Sequence, residues 1–174
     1  MTSQIKDNTD IGVVHIGIDP GLTGAIVALF PDGAVEFHDM PVLEVKKKQT
    51  LDYAGLAHIL RQYANRGECM AAIEYVSAMP GQGVSSMFKF GQVYGAALAT
   101  LATLQIPYRK VTPPVWKRAF SLIGCDKDES RSRALELFPG VVEYLRLKKN
   151  HGRADALLLS EYLRRENKKG EPSQ

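Results

Sequence analysis

Cysteine is scarce in this 174-residue chain: Cys69 and Cys125 are the only two. They stand far apart as singles, so they make neither a disulfide framework nor a CxxC metal site. Tryptophan occurs once, at Trp116, and aromatic residues reach only 8%. No apolar run is long enough to span a bilayer, and the first ten residues are polar, so neither a transmembrane segment nor a signal peptide is read. A strong excess of one charge is missing too: 22 Lys and Arg face 19 Asp and Glu, a net charge of +3. That balance is weak support for a polyanionic partner. A cytoplasmic protein with no membrane partner is the expectation.

What is present suits one globular domain. Apolar residues at 45% and charged residues at 24% are ordinary for a chain that buries a core. That domain is expected over residues 11–166, with polar, flexible tails at 1–10 and 167–174. The cations are clustered: Lys46, Lys47 and Lys48; Arg146, Lys148 and Lys149; Arg164 and Arg165 with Lys168 and Lys169. Each cluster reads either as an electrostatic footprint or as a solvated loop or helix end.

Three strands are expected first, Val13–Ile18, Gly24–Phe30 and Ala34–Asp39, with Pro31-Asp32-Gly33 turning between the last two. Pro41–Gln49 reads as a loop carrying three lysines. Thr50 is placed to cap a helix to about Asn65, whose Leu56, Ile59, Leu60 and Tyr63 share a face, and Gly67 ends it. A short strand, Met70–Ile73, finishes at Glu74. A small-residue loop over 77–83 leads to a long helix, about Ser85–Leu104, with Met87, Gly91, Tyr94, Leu98 and Leu101 along one side. Gly91 and Gly95 allow close approach, of the core or of a second subunit. Pro107–Val111 reads as a strand, Thr112-Pro113-Pro114 as a helix start, and Lys127–Phe138 and Gly152–Glu166 as helices. Strands followed by alternating helices and strands indicate an α/β sheet covered on both faces.

Acidic residues end these elements in a repeated way. Asp19 closes the first strand in Gly17-Ile18-Asp19-Pro20-Gly21, Glu74 closes a later strand, and Asp155 lies in the first turn of the last helix. A carboxylate at the rim of an apolar sheet needs compensation. If the strands are neighbours and the helix crosses their ends, the three groups converge. Converging carboxylates resist ionisation unless cations intervene, and an all-oxygen site suits Mg²⁺ or Mn²⁺. Two such ions can drive phosphodiester hydrolysis. His151, one turn before Asp155, can face the same site. Each residue also has a plain structural role: a turn for Asp19, solvent for Glu74, the helix dipole for Asp155 and a helix flank for His151.

Taken together, Gly17-Ile18-Asp19-Pro20-Gly21, Ile73-Glu74-Tyr75-Val76, Phe90-Gly91-Gln92-Val93-Tyr94-Gly95 and Ala154-Asp155-Ala156-Leu157 resemble the RuvC family of Holliday junction resolvases. The resemblance covers roughly residues 13–165 in the right order. Trp116-Lys117 and His151 look closer to its phage and prophage branch. The resemblance implies a ribonuclease H-like fold, a mixed five-stranded sheet with helices on both faces. It implies Asp19, Glu74, His151 and Asp155 as catalytic metal ligands for two Mg²⁺ ions, with Mn²⁺ as an alternative. It further implies Lys117 and Lys127 at the DNA backbone and a homodimer that nicks opposed strands of a four-way junction. Lys46, Lys47, Lys48, Arg146, Lys148, Lys149 and Arg153 would guide DNA arms. The family's fourth ligand falls where this chain has Gly152, one residue after His151. Ser77 stands near the place of an aromatic that wedges into the junction; Tyr75, Met79 and Phe88 are the substitutes at hand.

Three rivals remain open from sequence. Asp19-Pro20-Gly21-Leu22-Thr23-Gly24 also resembles the phosphate hairpin of sugar kinases and actin, although no second hairpin follows. A related nuclease acting on flaps or RNA–DNA hybrids would use the same carboxylates. A non-catalytic branched-DNA binder would not need them.

Overall fold

The computed structural model describes residues 12–75, 77 and 83–170, apart from the side chains of Lys127 and Gly170. The expected tail at 1–10, most of the 77–83 loop and Met79 lie outside the described residues. Five strands form one sheet in the order β3-β2-β1-β6-β7. They are β1 (Val14–Asp19), β2 (Ala25–Leu29), β3 (Val35–Asp39), β6 (Cys69–Glu74) and β7 (Tyr108–Val111). The first three run antiparallel, and β6 and β7 join parallel to β1 and to each other. β3 and β7 are the edges. Among the described residues, no helix is long and apolar enough to cross a membrane.

Side-chain alternation divides the sheet into two apolar faces. Ile16 and Ile18 of β1 pack with Ile26, Ala71 and Ile73 beneath helices α1 (Tyr53–Ala64) and α2 (Val84–Thr103). The opposite face buries Ala25, Val27 and Ala72 under α3 (Pro113–Ala119), α4 (Lys127–Leu137) and α6 (His151–Gly170). A helical turn, α5 (Val142–Leu145), precedes α6. Helices therefore cover both faces, as expected.

Three expectations are corrected. The 41–49 loop is instead the start of a hairpin, β4 (Val42–Val45) paired with β5 (Lys48–Leu51). Its two-residue turn holds Lys46 and Lys47 at φ of 50° and 59°, the left-handed pair a tight hairpin needs. Because Asn-Gly is the usual signal for that turn, Lys-Lys hides it. Thr50 lies in β5, and Asp52 caps α1 by accepting from the Gly55 amide at 3.0 Å. In α2, Val93, Ala97 and Leu101 are the buried residues. Gly91 and Gly95 face outward, with no heavy atom within 4 Å of an added Cβ, so neither serves the core.

The central helix α6 touches the sheet backbone to backbone. A Cβ on Gly17 would lie 1.9 Å from the Ala156 carbonyl oxygen and 2.7 Å from the Ser160 nitrogen. The helix runs past the expected Glu166 to Gly170, and Asn167 Nδ2 lies 3.1 Å from His15 Nε2 at the start of β1. On its way it buries Glu161. Burial alone would raise that carboxyl, but hydrogen bonds from Arg164 and Arg165, both 2.7 Å, outweigh it and hold it low.

Gly17→Ala should therefore cost about 3 kcal/mol of unfolding free energy, the scale of overpacking in a tight core. Urea denaturation measures it, and an unchanged midpoint would show that α6 can lift off the sheet without cost.

Candidate active site

β1 and β6 pair in parallel with Ile18 opposite Ile73. The next residue on each strand is acidic, so Asp19 and Glu74 emerge side by side at the same sheet end. Neither strand can bury these groups cheaply, and both stand half-buried at the rim. The first turn of α6 crosses this end. Gly152 is buried there, and a Cβ on it would lie 3.0 Å from Asp19 Oδ2 and 2.9 Å from the Thr23 carbonyl oxygen. The helix start thus presses on Asp19 with no side chain between them.

Asp155, three residues later, completes the acidic group. Its charge acts on Glu74, whose carboxyl is raised above its ordinary value. Burial is the largest cause; the Trp116 hydrogen bond opposes it, Asp155 adds to it and Lys117 opposes it. Trp116 is wholly buried, and its indole Nε1 donates to Glu74 Oε1 at 2.9 Å. Lys117 Nζ sits 5.5 Å from the centre of the same indole. Sequence reasoning singles out Trp116 only through the family resemblance and misses this bond. Its signal was positional: β7 pairs beside β6 with Val111 opposite Glu74, and α3 then carries Trp116 back over the carboxylate.

The remaining expected residues are distributed as follows. His151 opens α6, and its Nδ1 lies 3.4 Å from the Lys148 carbonyl oxygen. Arg153 forks onto Asp39 at the end of β3, with contacts of 2.6 and 2.7 Å, and donates to the Tyr144 carbonyl oxygen at 3.1 Å. The Arg153 hydrogen bond holds the Asp39 carboxyl below its usual range. Arg153 is therefore a brace between α6 and the sheet. Lys148 pairs with Asp128 at 3.2 Å, Arg146 faces Glu143 at 3.9 Å, and Lys149 is exposed. Lys46 and Lys47 form the hairpin tip, with Lys48 beside them. Lys127 opens α4, but its side chain lies outside the described residues. Tyr75 and Phe88 are both exposed, at 40% and 67%, and Ser77 is exposed between them.

Among the described residues, no three His, Cys, Asp or Glu side chains stand close enough, as placed, to hold one ion. The donor chemistry nevertheless suits a hard divalent cation. Asp19, Glu74 and Asp155 offer oxygen only, and the repulsion that Asp155 exerts on Glu74 is what a bound cation relieves.

In Thermus thermophilus RuvC bound to a Holliday junction substrate, 97% of that chain superposes on 91% of this one with a TM-score of 0.61 and 20% identity. This chain has the RuvC fold. A second T. thermophilus RuvC structure gives a TM-score of 0.57 at 21% identity, again over 91% of this chain and 97% of that one. By sequence, 89 residues are 36% identical to the chloroplastic Holliday junction resolvase MOC1 of Chlamydomonas reinhardtii. That stretch is 51% of this chain and 10% of the length of the relative. No protein-family model matches. Within the RuvC fold, the mixed sheet and crossing helix account for how three distant carboxylates reach one end.

The raised Glu74 carboxyl gives stability a signed pH dependence. The folded chain without cations holds this proton more tightly than the unfolded chain does. The associated stability is present at low pH and is lost as pH rises through the ordinary carboxylate range to the raised value. Glu74→Gln removes the buried charge yet can still accept from Trp116. In chelator, it should unfold at higher urea than the parent near neutral pH and show no such gain at about pH 3. A less stable variant at neutral pH would contradict this account.

Proposed function

We propose that this chain is a structure-selective endonuclease that resolves four-way DNA junctions by hydrolysing phosphodiesters in opposed strands. The observation that carries the reading is the Asp19, Glu74 and Asp155 group, brought to one sheet end by the RuvC fold. The 36% identity to a named junction resolvase supports the same substrate.

Asp19, Glu74 and Asp155 would hold divalent cations, Mg²⁺ or Mn²⁺, two ions being the expected number. When bound, such ions supply an activated water and neutralise charge on the phosphodiester. The chain's own residues do the rest. Trp116 holds Glu74 Oε1, and Oε2 is the oxygen that would be offered to a cation. Lys117, kept beside Glu74 by its contact with the indole, is positioned to meet a phosphate oxygen, and Lys127 extends that role from the start of α4. His151 shares a helix face with Asp155 at i, i+4, where an imidazole can orient water or move a proton.

Lys46, Lys47, Lys48, Lys148 and Lys149 supply a cationic approach for DNA arms, which makes affinity fall steeply with salt. The outward-facing Gly91 and Gly95 leave α2 open to a second copy, in keeping with a homodimer that cuts two strands.

A labelled synthetic junction and a matched linear duplex, each with Mg²⁺ or chelator, test the reading. Paired nicks are expected only in the junction, only with metal, and at least about 10²-fold slower in Asp19→Asn, the scale of losing a catalytic group. Equal cutting of linear duplex would indicate a broader nuclease, and binding without cutting would indicate a junction-binding protein. Trp116→Phe keeps the packing but removes a donor that holds Glu74 down. The acid limb of its pH–rate profile should therefore move to higher pH; a limb that stays in place would show that Glu74 does not govern it.

A further inference from the structure

A second cleft lies between the β4–β5 hairpin and α2. The cavity there holds about 310 Å³, at the small end of ligand clefts. It admits a single nucleotide and is too small for a duplex. One wall is β5, with Lys48 and Gln49, and the other is α2, with Lys89 and Gln92. Leu22 lines it too, three residues after Asp19, so the cleft opens beside the turn that carries the first carboxylate.

Its chemistry is one-sided. Among the described residues, two lysines line it and no acidic residue does. Among the described residues, the side chains of Lys48, Gln49, Lys89 and Gln92 make no hydrogen bond or ion pair within the chain, so their donors and acceptors are available. Tyr53, also in the lining, leaves 54% of its surface exposed. An exposed ring in a cationic cleft is a stacking platform for a base. Side-chain amides can pair with a base edge in two-point fashion, whereas lysines meet phosphate without regard to sequence.

We propose that this cleft is a nucleotide subsite: it takes one unstacked nucleotide of the strand approaching the carboxylates. Lys48 and Lys89 hold its phosphate, Tyr53 stacks on its base, and Gln49 and Gln92 read the base edge. The subsite rests on the nuclease reading and adds a source of cleavage-sequence preference to it.

The test compares the parent with Gln49→Ala/Gln92→Ala and Lys48→Ala/Lys89→Ala. All four positions are exposed, so folding should be unaffected, which thermal melts check. Cleavage sites are mapped over junctions with randomised branch-point sequences, and junction affinity is measured by anisotropy at several salt concentrations. The glutamine variant should bind within about twofold of the parent yet lose about tenfold of base discrimination at one position. The lysine variant should weaken binding to all sequences alike and reduce the salt slope by about 2. An unchanged base preference in the first, or an unchanged salt slope in the second, would overturn the subsite. If the parent cuts no junction at all, the nuclease reading fails separately. The anisotropy arm then decides the cleft: a reduced salt slope keeps it as a nucleic-acid contact, and equal slopes remove it.

Discussion

Direct contact between α6 and β1 is the constraint on which the rest of the molecule depends. The helix is fastened at three levels. Arg153 ties its first turn to Asp39, Gly17 admits its middle onto the strand backbone, and Asn167 meets His15 near its end. Between those points Ala154, Leu157, Leu158 and Leu163 are fully buried, each leucine contributing roughly 2 kcal/mol of apolar burial. A helix held this way cannot slide along the sheet. Asp155 consequently faces Glu74 as a matter of core packing, set by contacts along the whole length of the helix.

Glu161 and Glu74 show two degrees of compensation for a carboxylate drawn out of water. Glu161 meets two guanidinium groups and is held in its charged form. Glu74 meets one indole N–H, a nearby lysine and a like charge, and is left raised. The first is fully compensated inside the chain, and the second is compensated only in part. Perturbation of this kind concentrates where chemistry is done. The cations divide in the same way: Arg153 and Lys148 are engaged with Asp39 and Asp128, whereas Lys48 and Lys89 have no such partner among the described residues.

Much of this was readable from sequence, because strand-ending acids and apolar periodicity are local signals. Asp19, Glu74 and Asp155 interrupt apolar runs, and the strands and most helices follow their patterns to within a few residues. What escaped was set by partners distant in the chain. Trp116 and Glu74 are brought together by the β6–β7 pairing, and Arg153 and Asp39 by the crossing of α6 over β3. The hairpin escaped for a local reason, since Lys46 and Lys47 adopt a backbone that lysine rarely signals. On α2 nearly every side carries an apolar or small residue, so periodicity alone does not choose the buried stripe, of which the expected face shares only Leu101.

The two sheet edges bear on how copies of the chain can meet. β7 is four residues long, and Arg109 and Lys110 stand exposed on it. Short, charged edges resist strand addition. At the other edge, β3 has Glu36 bonded to Arg66 and Tyr63, and Asp39 clamped by Arg153. Charge on β7 and side-chain engagement along β3 disfavour β-augmentation at both borders of the five-stranded sheet, which protects the hydrogen-bond register that aligns Asp19 with Glu74.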